Sequence, residues 1–293
     1  MIDTAIIPVA GLATRFLPVS KQVPKALLPI LNKPMIELAI EEAYLSGIKR
    51  IIIVMGPDQS SVKDYFENDY LEIVKHRISF KEQRLEKFVE IINAIEILYI
   101  VQEQPLGLGH AILQAESFIG TNSFCVFLPD DVIFSDIPCM SDMMEIYNEF
   151  SLPVLAIKEV DDKKIPLLGI VDVNKYKKDI YKIIEMIEKP SLEEAPSNLA
   201  IIGRYVLPSS VFTELKNIKP GANEEIQITD ALVKIMKHTG FSGYKFPGTH
   251  FDIGNPIGLL QASVHTATND SQHGEDFINW MNANFITPNQ ETL

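Results

Sequence analysis

Cysteine, tryptophan and positive charge are all scarce in this chain. Its 293 residues hold two cysteines and one tryptophan, and 26 Lys and Arg stand against 39 Asp and Glu, for a net charge of −13. Cys125 and Cys139 cannot staple a fold of this size, and neither sits in a CxxC or Cys/His spacing, so a disulfide scaffold and a zinc module are excluded and a reducing cytoplasm is expected. The shortage of bases argues against nucleic acid or an anionic membrane as partner, because both require Lys and Arg to displace counterions. No apolar run reaches the roughly 20 residues that span a bilayer. The opening MIDTAIIPVAG carries Asp3 where a secretion signal is basic. A GxxxxGK[ST] loop and a GxGxxG loop are both missing, which disfavours P-loop NTPases and nicotinamide enzymes.

What is present is a globular composition, 46% hydrophobic and 22% charged, in a chain long enough for one large or two ordinary domains. Strand-length apolar runs at Ala5–Val9, Ile51–Met55, Ile97–Val101 and Phe124–Leu128 alternate with helical patterns. Ile36, Ala39, Ile40 and Ala43 follow Pro34 and stop at Gly47; Ala111, Ala115 and Phe118 stop at Gly120. This alternation predicts right-handed βαβ units and an α/β protein. Shorter runs at Val154–Ile157, Gly169–Val173, Ile180–Ile187 and Leu199–Val206 predict a mixed extension of the sheet. Thr229 is the expected N-cap of a helix running through Met236, and another helix should follow Pro256. From Asp270 the chain turns polar, with Phe277 and Trp280 in a tail that either forms a terminal helix or frays.

The segment VAGLATRFLPVSKQVPKALLPI, Val9 to Ile30, places a small-residue turn after a buried strand, where backbone N–H groups can meet phosphate oxygens. Arg15 and Lys25 add a planar fork and a compact point charge to the same region. Gln102 ends a strand and Gly107 opens the next helix; an amide can read the edge of a pyrimidine, and a glycine admits a flat base. Asp130 and Asp131 follow the strand FCVFLP, where hard oxygen ligands suit Mg²⁺. Adjacent side chains diverge, so one of the two is expected as the direct ligand, with Asp252 in FDIG as a second carboxylate. Glu188 and Lys189, in IEKP, pair an acceptor for hydroxyls with a cation for phosphate. Glu225 and Asp230 fit helix capping as well as ligand contact. The histidines show no ligand spacing, and His110 reads as packing.

GLATRFLP, PKALLP and NKPMIE together resemble the opening of the sugar-1-phosphate nucleotidylyltransferase family. The likeness continues in order through QEQPLGLGHAI, FLPDDVI, LGIVD, EKPSLEEAPSNLAIIGRYVL, NEEIQITDAL and HFDIGNPIG, to about Ala267. The EKP, APSNLAIIGRYVL and EIQITDAL segments resemble the bacterial branch that joins UTP and glucose 1-phosphate. The resemblance implies a Rossmann-like, mainly parallel mixed sheet flanked by helices. Its nucleotidyltransferase domain would span residues 1–268, with a nucleotide half at 1–135 and a sugar half at 136–268, followed by a tail at 269–293. It further implies a homodimer or homotetramer with Mg²⁺ as cofactor. Catalytic roles fall to Arg15, Lys25, Lys189 and Asp130, nucleotide binding to Ala10, Gly11, Leu12, Gln102 and Gly107, sugar binding to Asp131, Gly169, Glu188 and Gly203, and metal to Asp130 and Asp252. Two positions depart from the pattern: Ala13 stands where a second glycine is usual, and Ala26 where that branch commonly has Glu. A thymidylyltransferase on the same sugar phosphate and a weakly active regulatory paralogue are the alternative readings.

Overall fold

In the computed structural model, which describes residues 2–67, 83–221 and 224–286, the run after Asp3 forms the strand at the centre of the molecule. The strands in chain order are β1 (Thr4–Pro8), β2 (Pro29–Ile30), β3 (Lys33–Pro34), β4 (Arg50–Met55), β5 (Glu96–Val101), β6 (Phe124–Phe127) and β7 (Asp131–Phe134). There follow β8 (Val154–Glu159), β9 (Gly169–Lys177), β10 (Ile180–Glu188), β11 (Leu199–Leu207), β12 (Phe241–Lys245) and β13 (Thr249–Asp252). Nine of them form one sheet in the order β5-β4-β1-β6-β11-β8-β12-β10-β9. The β5-β4-β1-β6 block is parallel throughout. β11 then enters antiparallel to β6, and the remainder is mixed, as expected from the shorter runs of the second half.

Continuous apolar strands are dictated by burial on both sides. Ile7, Ile51 and Ile53 face one core and Ile6, Ile52 and Val54 the other, which is the period-two alternation of a strand between two helical layers. Helix Met35–Leu45 lays Ile36, Ala39, Ile40 and Ala43 on the first face, beside helix Cys139–Phe150. Helices Leu108–Leu113, Ser210–Lys216 and Ile228–Met236 cover the second. A third cluster, made of Phe16, Leu28, Ile30, Met35, Val132, Ile253 and Ala262, fastens the long loop after β1 to β7 and to helix Pro256–Thr268. Strands from before and after residues 135 and 136 share the one sheet, because β11 pairs with β6.

Three details differ from the sequence reading. Thr229 is not the N-cap of its helix; Gln227 is, and Thr229 lies in the first turn with its hydroxyl directed to Glu188. The pattern Ala111 to Phe118 belongs to two short helices, Leu108–Leu113 and Glu116–Ile119, and Gly120 at φ 61° ends the second. In the tail, helix Gly274–Met281 stacks Phe277 on Trp280, while residues 287–293 lie outside the described residues. Among the described residues no helix is long and apolar enough to cross a membrane. Both cysteines are free and buried, and burial pushes their thiols up, so neither is a nucleophile at neutral pH.

Candidate active site

The strand order reverses at β1, which has β4 on one side and β6 on the other, and a crevice opens there beyond the carboxyl ends of the strands. A cavity of about 490 Å³ occupies it. Its floor is the turn after β1, with Ala10 buried and Gly11 and Leu12 exposed; Lys25 and Asp130 stand at one end, and Gln102 and Gly107 line it as well. Seven of the expected residues therefore meet in one place, although they come from four separate segments of the chain.

Lys25 starts a short helical turn whose packing is set by Ala26, 2% exposed and fixed in the core. Its Nζ lies 2.6 Å from Asp130 Oδ2. Asp130 sits in the turn between β6 and β7, and its carbonyl accepts from Ile253 N at 2.8 Å, which joins this turn to the end of β13. There Asp252 Oδ1 accepts from Gly254 N at 2.9 Å. A methyl group on Gly254 would lie 3.0 Å from Asp130 Oδ2 and 3.0 Å from Asp252 Oδ1, so the two carboxylates converge on one point. Among the described residues no three His, Cys, Asp or Glu side chains form a metal cage. Two convergent carboxylates nevertheless fit a small hard cation that keeps water or substrate phosphate as its other ligands.

Asp131 points the other way. Its Oδ1 lies 2.6 Å from His250 Nε2, and its Oδ2 accepts from Gly203 N at 3.1 Å. Burial alone would raise its pKa, but the His250 hydrogen bond and the charges of His250 and Arg204 outweigh burial and hold the carboxyl below its ordinary value. Gly203 serves the same corner: a Cβ there would come within 2.5 Å of Asp131 Oδ2 and of Leu128 Cβ. Behind it Arg204, 2% exposed, donates from Nε and Nη2 to Glu42 Oε2 at 3.0 and 2.7 Å, and from Nη1 to the carbonyls of Leu128 and Gly203.

Glu188 and Gly169 face each other across β9 and β10. Thr229 Oγ1 donates to Glu188 Oε2 at 2.7 Å, and Lys189 Nζ lies 3.4 Å from Glu188 Oε1. Lys189 has a positive φ of 47° and an exposed side chain. Buried Tyr205 lies near both Glu188 and Asp130: burial first, and then the charges of Asp131, Glu188 and Asp130, raise its hydroxyl pKa. Arg15 is exposed and lines a neighbouring groove of about 440 Å³ with Phe16 and Leu260, outside the 490 Å³ cavity.

Sequence reasoning passed over Gln227, which lines the cavity and donates to Glu225 Oε2 at 2.7 Å. The segment NEEIQITDAL carried the signal, since Gln227 precedes a helix whose neighbour Ile226 accepts from Gly109 N at 2.8 Å. The ring of His110, expected as a satisfied packing residue, stands 2.8 Å from the Gln102 amide nitrogen.

Residues 4–269 match the model of the family described as Nucleotidyl transferase. A UTP–glucose-1-phosphate uridylyltransferase of Bacillus subtilis is 40% identical over 260 residues, 89% of this chain and 88% of that one. The crystal structure of a UDP-glucose pyrophosphorylase complexed with UDP-glucose superposes with a TM-score of 0.84 at 38% identity, covering 92% of this chain and 100% of that one. A UTP-bound UGPase from Acinetobacter baumannii does so with a TM-score of 0.84 at 33% identity, over 96% of this chain and 99% of that one.

Proposed function

We propose that this chain, which belongs to the nucleotidyl transferase family, joins UTP to glucose 1-phosphate and releases UDP-glucose and pyrophosphate. One observation carries the reading: a single cavity at the sheet's switch point gathers the turn after β1, Lys25, Asp130 and Gln102. Relatives that are named for this reaction match over nearly the whole chain.

In this reaction the phosphate oxygen of glucose 1-phosphate attacks the α-phosphorus of UTP, and the bond to pyrophosphate breaks. The attacking phosphate is already ionised at neutral pH, so no side chain has to remove a proton. What the protein must supply is alignment of two anions and cancellation of their repulsion. Gln102 and Gly107 receive the base, with Ala10, Gly11 and Leu12 beneath the nucleotide. Lys25 faces the reacting phosphates, Lys189 the sugar phosphate, and Glu188 with Gly169 the sugar hydroxyls. Asp131 and Gly203 support the sugar side from behind through the bond they share. Arg15 reaches the departing phosphates from the adjoining groove, which requires the exposed loop to turn inward. Asp130 and Asp252 would hold Mg²⁺, which when bound supplies Lewis-acid neutralisation of phosphate charge. Exposed Leu17, Ile257, Leu260 and Trp280 support the expected homo-oligomer.

The test is release of pyrophosphate from UTP, glucose 1-phosphate and Mg²⁺, measured beside dTTP. UTP should be the better substrate; silence with every nucleotide and sugar phosphate tried would overturn the enzymatic reading. Lys25→Ala and Lys189→Ala should each lower turnover by about two orders of magnitude, the scale of one lost preorganised charge. An unchanged rate would remove the residue from the mechanism.

A further inference from the structure

The Gln102 side chain is held in one orientation before any nucleotide arrives. The residue is 4% exposed, and its Nε2 donates to the Gly107 carbonyl at 3.3 Å and lies 2.8 Å from His110 Nδ1. A backbone carbonyl can only accept, so the amide nitrogen must occupy this corner. With the ring proton on Nε2, His110 Nδ1 accepts the second N–H. A neutral imidazole offers one nitrogen as acceptor. Gln114 Nε2 approaches the other ring nitrogen at 3.1 Å, but it also donates to the His110 carbonyl at 3.2 Å, and the Gln102 contact is the shorter at the ring. Burial lowers the His110 pKa against a partial opposing effect of the Gln104 carbonyl, so the ring keeps its lone pair near pH 7.

Nε2 turned inward leaves Oε1 as the atom that Gln102 can offer a ligand, and Gln102 lines the cavity. A uracil-type ring carries a donor N3–H, which an outward oxygen accepts. A cytosine-type ring carries an unprotonated N3, whose lone pair would oppose the same oxygen.

We propose that His110 is a specificity-determining positioning residue, which locks the Gln102 amide with its oxygen toward the base and thereby selects a uracil-type edge over a cytosine-type edge. This rests on the reading of Gln102 as the base contact. Gly107 alone holds the amide by one long hydrogen bond. Without the imidazole the amide can make a half-turn and present a donor, so discrimination falls. Rejection of this kind depends on the penalty of leaving a buried polar group unpaired, and it is large when the group cannot turn.

The experiment measures kcat/KM for UTP and for CTP, with glucose 1-phosphate, in the wild type, His110→Phe, His110→Asn and Gln102→Leu. His110→Leu replaces the Phe variant if that ring is not accommodated. The UTP-to-CTP ratio should fall about tenfold or more in His110→Phe. His110→Asn carries an acceptor oxygen near the place of Nδ1 and should restore most of the ratio. Equal losses for both nucleotides, leaving the ratio at its wild-type value, are what a merely structural role produces and would overturn the proposal. A ratio that collapses in Gln102→Leu but not in His110→Phe defeats the role of His110 alone. If Gln102→Leu leaves the ratio unchanged, the base-contact reading itself fails, and the proposal with it.

Discussion

Ala13 sits at φ 51° and ψ 39°, in the left-handed region where its β-carbon crowds the following carbonyl. The loop therefore keeps the backbone shape that a glycine would take without strain, at a cost of about 1 kcal/mol. Ala26 is explained by burial: it is fixed in the core beside the cavity, where a longer acidic side chain would need a partner. Gly203 is required by space, since its N–H donates to Asp131 and its carbonyl accepts from Leu128 N at 2.8 Å, with no room between the chains. Gly203→Ala should destabilise the protein by about 1–3 kcal/mol through overpacking, read as a lower urea midpoint. A midpoint equal to wild type would show that Leu128 and Asp131 can move aside.

Helix Pro256–Thr268 shows how one element places a distant side chain. Asn255 caps it, with Oδ1 accepting from Gly258 N at 2.9 Å and Pro256 in the first turn, and its Nδ2 donates to the Asp252 carbonyl at 3.2 Å. A Cβ on Gly258 would lie 1.8 Å from the same carbonyl, so the helix start abuts the end of β13. Asn255→Ala should cost about 1 kcal/mol of stability in denaturant titration. An unchanged value would mean that another group caps the helix. The helix after Pro256 was legible from proline and the apolar spacing that follows. That its first turn steadies Asp252 was not, because Asp130 and Asp252 are brought together by the pairing of β7 with β13 and the hydrogen bond from Ile253 N to the Asp130 carbonyl, both tertiary contacts.

Across the molecule, a buried polar layer joins the sheet to the site. Buried Arg204 pairs with half-buried Glu42 and also holds the carbonyls of Leu128 and Gly203, and Asp131 closes the layer with His250. Its stability depends on pH with a definite sign. The Asp131 carboxyl has a folded pKa below its ordinary value of 3.8, so its contribution is fully present above that value and is lost as pH falls through the folded one. The urea midpoint should drop more steeply as pH falls below about 4 in the wild type than in Asp131→Asn. Parallel pH dependences would show that other carboxylates carry the effect. The net charge of −13 belongs to the outer surface, and Lys25 is the basic residue that lines the 490 Å³ cavity among the described residues.

The sequence by itself determined the α/β class, the parallel block and the motifs of the first loop, because strand burial and helix periodicity are written in local spacing. Val9 to Ile30 and the strand end at Asp130 stood out only as motifs in the order of a family they resemble, because a small-residue turn or an Asp pair after an apolar run alone more often turns or caps the chain. Tertiary structure alone decided the rest. It turned Asp130 toward Lys25 and Asp131 toward His250, moved Thr229 from a cap to a partner of Glu188, and set Arg204 against Glu42, 162 positions away. It also converted His110 from a packing residue into the neighbour of Gln102. These pairings arise where the sheet brings separate strand ends together, and the energy of a buried hydrogen bond or ion pair depends on that meeting rather than on any spacing along the chain.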